Sequence, residues 1–292
     1  MKAGFWVAPE GEDGGVSMMP IGIDETASGF AGRSGLTGAG TISFLATASA
    51  ADLIERCPKV AALLPQLVAA LETQEVGSAS RLFDLAGFGA DDLTLIGEVL
   101  GEGEVSATVA LPDGVIAQVQ ESVMAGLWRV RFTDRDGRLV ADYVEVATIP
   151  AAIDRAARMV PVLAAIGTPP EGAMNVMPVL TEIRDRAGAH NTGAPSHTIT
   201  FSLFPMSEAD MEFLQNSLGP GPIRILSRGY GTCRIVATGA RNVWSVQFFN
   251  AMDTIVLDTL EIGDVPVTAC AAVEDFRDSA ERLKEIEEAY FR

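Results

Sequence analysis

The sequence predicts an α+β protein of two duplicated units, each an antiparallel β-sheet with helices packed on one face, preceded by a flexible Gly-rich acidic N-terminal segment. Alternating apolar runs between turn signals read as strands, and apolar residues at three- and four-residue spacing read as helices. Both recur in the same order in two stretches. "DDLTLIGEVLGEGEV" (91–105) aligns with "ADMEFLQNSLGPGPI" (209–223), and "LWRVRF" (127–132) with "VWSVQF" (243–248). "YVEVATIP" (143–150) aligns with "TLEIGDVP" (259–266), and "LLPQLVAAL" (63–71) echoes "VMPVLTEIR" (176–184). The expected boundaries are 1–45 for the flexible segment, 46–166 for the first unit, 167–173 for a linker and 174–292 for the second unit.

In chain order, residues 1–45 carry ten of the 29 glycines and little apolar periodicity, which predicts a segment unable to order itself. "MMPIGID" is an apolar island within it. Each unit then begins with a helix, with Pro65 or Pro178 in its first turn, where proline's missing donor costs nothing. A strand follows, "SRLFDLA" or "HTITFSLF", and then a second helix. In the second unit Ser207 is its expected cap, with Asp210 as acidic partner three residues on. Four strands come next, in the first unit "EVSATVAL", "VIAQVQES", "LWRVRFT" and "RLVADYVEV", with "PDG" and "DRDG" turns. A helix closes each unit. In the second it is read over "VTACAAVEDFRDSAERLKEIEEAYF", with Arg277/Glu281 and Asp278/Arg282 on a solvated face.

The chain has 292 residues, 48% hydrophobic and 21% charged, an ordinary globular composition able to bury a core. Its net charge of −18 argues against DNA or RNA as partner, because a polyanion is repelled. Cys57, Cys233 and Cys270 form no C-x-x-C pair, so they read as free thiols in a reducing compartment. His190 and His197 share one polar loop, poor supply for a metal site. No metal or cofactor is expected. No signal peptide or stretch long enough to enter a membrane is visible, so the expected location is the cytoplasm. No G-x-S-x-G elbow appears, and Glu145/Glu261 and Asp92/Asp210 recur by duplication, which favours structural roles and a protein that is not an enzyme.

One stretch, "GPGPIRILSRGYGTCR" (219–234), invites a phosphate-loop reading. Such a loop follows a strand and opens a helix, whereas Gly219 and Gly221 follow a helix and open a strand. They read as a helix stop, as do Gly101 and Gly103. With "GYG" as a hairpin turn, alternation puts Ile223, Ile225, Cys233, Ile235 and Ala237 on the core face. Arg224, Arg228 and Arg234 share the other face with Leu226 and Val236. The first unit has Ser106, Ala110 and Gln118 there, and Ala125 where the second has Arg241. Either these arginines pair with acids of the sister unit or the last helix, or they recognise carboxylates or carbonyls of a partner. Arg224, Arg228, Tyr230, Arg234 and Arg241 are therefore the candidate partner-binding residues.

"LGPGPIRILSRGYGTCRIVATGARNVWSVQFFNAMDTIVLDTLEIGDVP" followed by "AAVEDFRDSAERLKE", together spanning about 218 to 286, resembles the C-terminal region of the HupH/HyaF/HoxQ family of hydrogenase-formation proteins. "MMPIGID" is similar to that family too, and the first unit resembles it more weakly. The resemblance implies a non-catalytic accessory protein for maturation of [NiFe] uptake hydrogenases. It implies a chaperone that binds the iron–sulfur small-subunit precursor before twin-arginine export, alongside other hydrogenase accessory proteins. The alternative it carries is delivery of nickel or iron, for which this chain is poor in histidine and cysteine. The family brings no catalytic residues to carry over.

Overall fold

The computed structural model describes residues 38–291, apart from positions 76 and 230. Residues 1–37, including "MMPIGID", lie outside the described residues. The helices are α1 (Gly38–Leu45), α2 (Ala48–Arg56), α3 (Pro58–Glu72), α4 (Ala90–Leu100), α5 (Ala151–Met159), α6 (Val176–Ala189), α7 (Glu208–Leu218) and α8 (Val273–Tyr290). The first five strands are β1 (Arg81–Asp84), β2 (Val105–Ala110), β3 (Ile116–Glu121), β4 (Leu127–Thr133) and β5 (Leu139–Val146). The second five are β6 (His197–Thr200), β7 (Pro220–Ser227), β8 (Thr232–Thr238), β9 (Val243–Phe249) and β10 (Ile255–Ile262).

All ten strands form one antiparallel sheet in the order β1-β5-β4-β3-β2-β7-β8-β9-β10-β6. The order reads the same from both ends, with β2 and β7 meeting at the seam and pairing Ala107 with Ile225. The outermost strands are four residues each, which limits the open backbone at the sheet edges.

The sheet has two differently dressed faces. On the first, Leu127, Val144 and Val146 pack under α3, α4 and α8, while Val243, Leu260 and Ile262 pack under α6 and α7. The second carries a continuous apolar layer from β2–β4 to β7–β9, including Val109, Val119, Trp128, Ile225, Ile235 and Trp244. Ile153 and Ala156 of α5, and Ala269 in a 3-10 turn (Val267–Ala269), pack on this second face. Helices packed on one face were expected, so this is a correction. Its cause is that β2–β4 and β7–β9 are apolar on the side away from α3 and α6, and such a layer needs its own cover.

Four more elements differ from expectation. The first long helix starts at Pro58, so Pro65 sits in its interior and Pro58 takes the tolerated first position. Gly38–Leu45, read as part of the flexible segment, is helical, with Thr41 and Leu45 buried and Phe44 packed on the core of the first half. The last helix begins at Val273, after the 3-10 turn, and packs against α3 in the other half of the chain. Arg282, read as an ion-pair partner of Asp278, donates to the carbonyl of Val123 (3.3 Å).

Candidate functional site: the central sheet floor

The hairpin β7–β8 displays its residues as alternation requires. Ile223, Ile225, Cys233, Ile235 and Ala237 are buried in the apolar layer of the second face. Arg224, Leu226, Arg234 and Val236 are on the first face, where Thr108 lies opposite Arg224, Arg224 opposite Val236, and Leu226 opposite Arg234. The register extends that face through Ser106 and Thr108 of β2 to Gln118 and Gln120 of β3. The helices that pack closely on β2 and β7 are on the opposite face, so these four central strands form a floor between the α3/α4/α8 and α6/α7 layers. Arg234 and Gln118 are exposed, and Ser106, Thr108, Arg224 and Leu226 are half-buried. The floor residues of β2, β3, β7 and β8 include no carboxylate, in a chain with 39 acidic and 21 basic residues.

The arginines of the floor have different surroundings. The Arg234 guanidinium lies 5.1 Å from the centre of the Phe249 ring, a cation–π contact that orients it. Among the described residues, no ion pair holds Arg224, Arg228 or Arg234. Arg228 lies beyond the end of β7, with its N–H on the carbonyl of Glu104 (3.0 Å). Burial pushes the Glu102 carboxyl up, and the charge of Arg228 pulls it back down. Arg241 is elsewhere: its Nε donates to the carbonyl of Val160 (2.7 Å) and its N–H to that of Pro161 (2.8 Å). Tyr230 lies outside the described residues. On the same face of β4, Arg129 and Asp142 form a buried two-point pair at 3.1 and 2.8 Å.

The glycines serve the backbone. Gly219 ends α7 at φ 64°, and a Cβ on Gly221 would come within 2.3 Å of the Thr238 carbonyl. Gly101 and Gly103 repeat both constraints in the first half. Sequence reasoning missed a groove of about 450 Å³ at the seam, lined by Leu111, Pro112, Met159, Pro161, Pro220 and Pro222. Its only sequence signal was the prolines read as turn residues.

The titratable groups singled out from the sequence occupy structural positions. Buried Asp210 accepts from the N–H and hydroxyl of Ser207, completing the expected capping box, and also from the N–H groups of Asn175 and Val176 at the start of α6. Asp92 accepts from the N–H of Gly89 at the start of α4 and lies beside the Cys57 thiol at the start of α3. Glu145 caps α5 through the Ala151 N–H (2.7 Å) and lies opposite Trp128, as Glu261 lies opposite Trp244. Burial pushes Cys233 up to about 12 and Cys270 up to about 11, with Glu261 and Asp264 adding to the respective effects. His190 contacts Asp264 (3.1 Å) and His197 contacts Glu182 (2.9 Å), separate partners for the two histidines. The described residues contain no group of three or more side chains suited to hold a metal ion. No helix among them is long and apolar enough to cross a membrane.

Glu121, at the end of β3, was not singled out. Burial pushes its carboxyl up to about 7, against the pull of the Gly126 and Val105 N–H groups. The protonated form is favoured in the fold, so its contribution is full below the unfolded value of 4.5 and is lost as pH rises through about 7. Glu121→Gln is expected to gain up to about 3 kcal/mol relative to the parent between pH 4.5 and 8. Urea unfolding of both proteins across that range measures it, and a difference independent of pH would refute the assignment.

The family model for the HupH hydrogenase expression protein, C-terminal conserved region, matches this chain twice, over 59–159 and 173–290. Together the two segments cover both halves of the sheet, and the chain belongs to this family of hydrogenase expression/formation proteins. It is 58% identical over its full length to the full length of hydrogenase expression/formation protein HupH of Rhizobium leguminosarum bv. viciae. It is 42% identical to HoxQ of Azotobacter vinelandii, over 80% of this chain and 82% of that one. It is 37% identical to hydrogenase-1 operon protein HyaF of Escherichia coli K12, over 80% of this chain and 83% of that one.

Proposed function

We propose that this chain is a non-catalytic accessory protein of [NiFe] hydrogenase maturation, acting in the cytoplasm as a chaperone for the iron–sulfur small-subunit precursor before its twin-arginine export. The observation that carries the reading is the family match over both halves, with a full-length relative named for hydrogenase expression and formation. A floor without carboxylates in an acidic chain supports a docking role for Arg224, Arg228 and Arg234, with Tyr230 between Gly229 and Gly231 beside them in sequence. Arg241 is bonded to the carbonyls of Val160 and Pro161 after α5 and is not part of this docking set. The test is co-expression of the tagged chain with the small subunit, with and without its signal peptide, followed by affinity purification. Retention of the precursor is the expected result, and failure to retain either form would overturn the proposal.

We also infer that the two halves arose by duplication of one unit. The same family region matches twice, and the strand order mirrors itself about β2 and β7. Trp128 and Trp244 each bond a carbonyl that follows their partner strand, Ala147 and Gly263.

A further inference from the structure

We propose that the floor of β3, β2, β7 and β8 receives an acidic amphipathic helix of a partner, held by Arg224 and Arg234. The proposal rests on the docking reading above for its location and adds the chemistry of the occupant. Charge complementarity argues for that chemistry. The strands supply threonine, serine, glutamine and arginine on this face and no carboxylate, while the chain as a whole carries a net charge of −18. Strand addition is excluded at this place, because each of the four strands is paired on both sides. An occupant therefore contacts side chains, not backbone.

The spacing suits a helix. Arg224 and Arg234 are diagonal neighbours on adjacent strands, since Leu226 lies opposite Arg234, which puts their Cα atoms about 7–8 Å apart. Carboxylates at i and i+4 of a helix lie about 6 Å apart on one side and match that separation. Guanidinium takes carboxylate in two-point fashion, and Phe249 already orients one of the two arginines. Beside them half-buried Leu226 offers an apolar contact for the residue between the two carboxylates, while Val236 itself is buried. The layers on either side already use helices over β4–β5 and β9–β10, and among the described residues the central strands are the place on this face without one.

The probe is a labelled alanine–leucine peptide of about 16 residues with glutamates at i and i+4, titrated with the full-length chain by fluorescence anisotropy. A lysine version serves as the charge control. Binding of the glutamate peptide is expected to weaken at least about tenfold in Arg224→Glu/Arg234→Glu and to fall with salt. It should stay within about twofold in Arg138→Glu/Arg277→Glu, which makes the same charge change at two exposed sites. Arg224→Gln/Arg234→Gln gives a milder change at the same site and is expected to weaken binding too. No binding of the glutamate peptide, equal loss in both reversal pairs, or floor-dependent binding of the lysine peptide would each overturn the proposal. So would tighter binding after Glu10, Glu12 and Asp13 are changed to amides, which would make this chain's own N-terminal segment the occupant. If the floor variants behave as expected while the parent fails to retain the small subunit, the maturation reading falls and this one stands.

Discussion

Asp210→Ala is expected to destabilise the protein by about 3–5 kcal/mol, the cost of leaving several buried donors without their charged acceptor. The side chain is fully buried, and its two oxygens serve two helices at once. Oδ2 takes the N–H and hydroxyl of Ser207 at 2.9 and 2.8 Å, and Oδ1 takes the N–H groups of Asn175 and Val176 at 2.8 and 3.0 Å. Burial pushes the carboxyl up, but these four bonds outweigh it and hold the group below its ordinary value. Its contribution is therefore present above the unfolded value and is lost as pH falls through the folded one. Asp210→Asn keeps one acceptor oxygen but sets an NH₂ against donors, so an intermediate loss of about 2 kcal/mol is expected. Urea unfolding at neutral pH ranks the three proteins. A loss below about 1 kcal/mol for alanine would mean that water replaces the carboxylate and the joint between α6 and α7 lies elsewhere.

That joint shows how far the sequence reaches. Ser207 and Asp210 are three residues apart, so their bond is local and can be read from spacing. The bonds to Asn175 and Val176 span more than thirty positions and depend on where α6 docks, which spacing does not encode. The same division holds along the sheet. Which of Arg224 and Ile225 faces the core follows from strand alternation alone, and the structure agrees. Where Arg241 sends its guanidinium depends on the chain leaving α5, and a turn position in the sequence says nothing of it. Apolar periodicity gave α5 and α8 a buried side without saying against what. One lies on the second face of the sheet, and the other crosses to α3. The eight-residue α1 was hidden by its glycines, since its order comes from docking Thr41 and Leu45, not from propensity.

The crossing of α8 leads to the second large effect: Phe276→Ala is expected to cost about 3–5 kcal/mol and to lower the stability of both halves equally. Phe276, Ala280, Leu283 and Ile286 are on the last helix, yet they belong to the core formed with Leu64, Leu67 and Leu71 of α3. Phe276 is 2% exposed, and its ring lies against Gly126, where a Cβ would approach within 2.3 Å. Ser279 bonds the carbonyl of Ala125 (2.9 Å), so α8 is tied to the β3–β4 turn of the first half. The exchange is reciprocal, because residues 160 and 161, after α5, are bonded by Arg241 in the β8–β9 turn of the second half. Each half thus completes its core or a turn with chain from the other, in addition to sharing the β2–β7 ladder. Such an arrangement couples the halves into one unfolding unit. Trp128 and Trp244 are matched buried reporters, one in each half, and with Trp6→Phe as the background, Trp244→Phe or Trp128→Phe leaves a single tryptophan to be followed. Within each of these proteins the remaining tryptophan and the far-UV circular dichroism should give one midpoint in urea, and Phe276→Ala should lower the unfolding free energy by the same amount in both. A shift confined to either reporter would show that the halves unfold separately and that the crossing of α8 contributes packing without coupling.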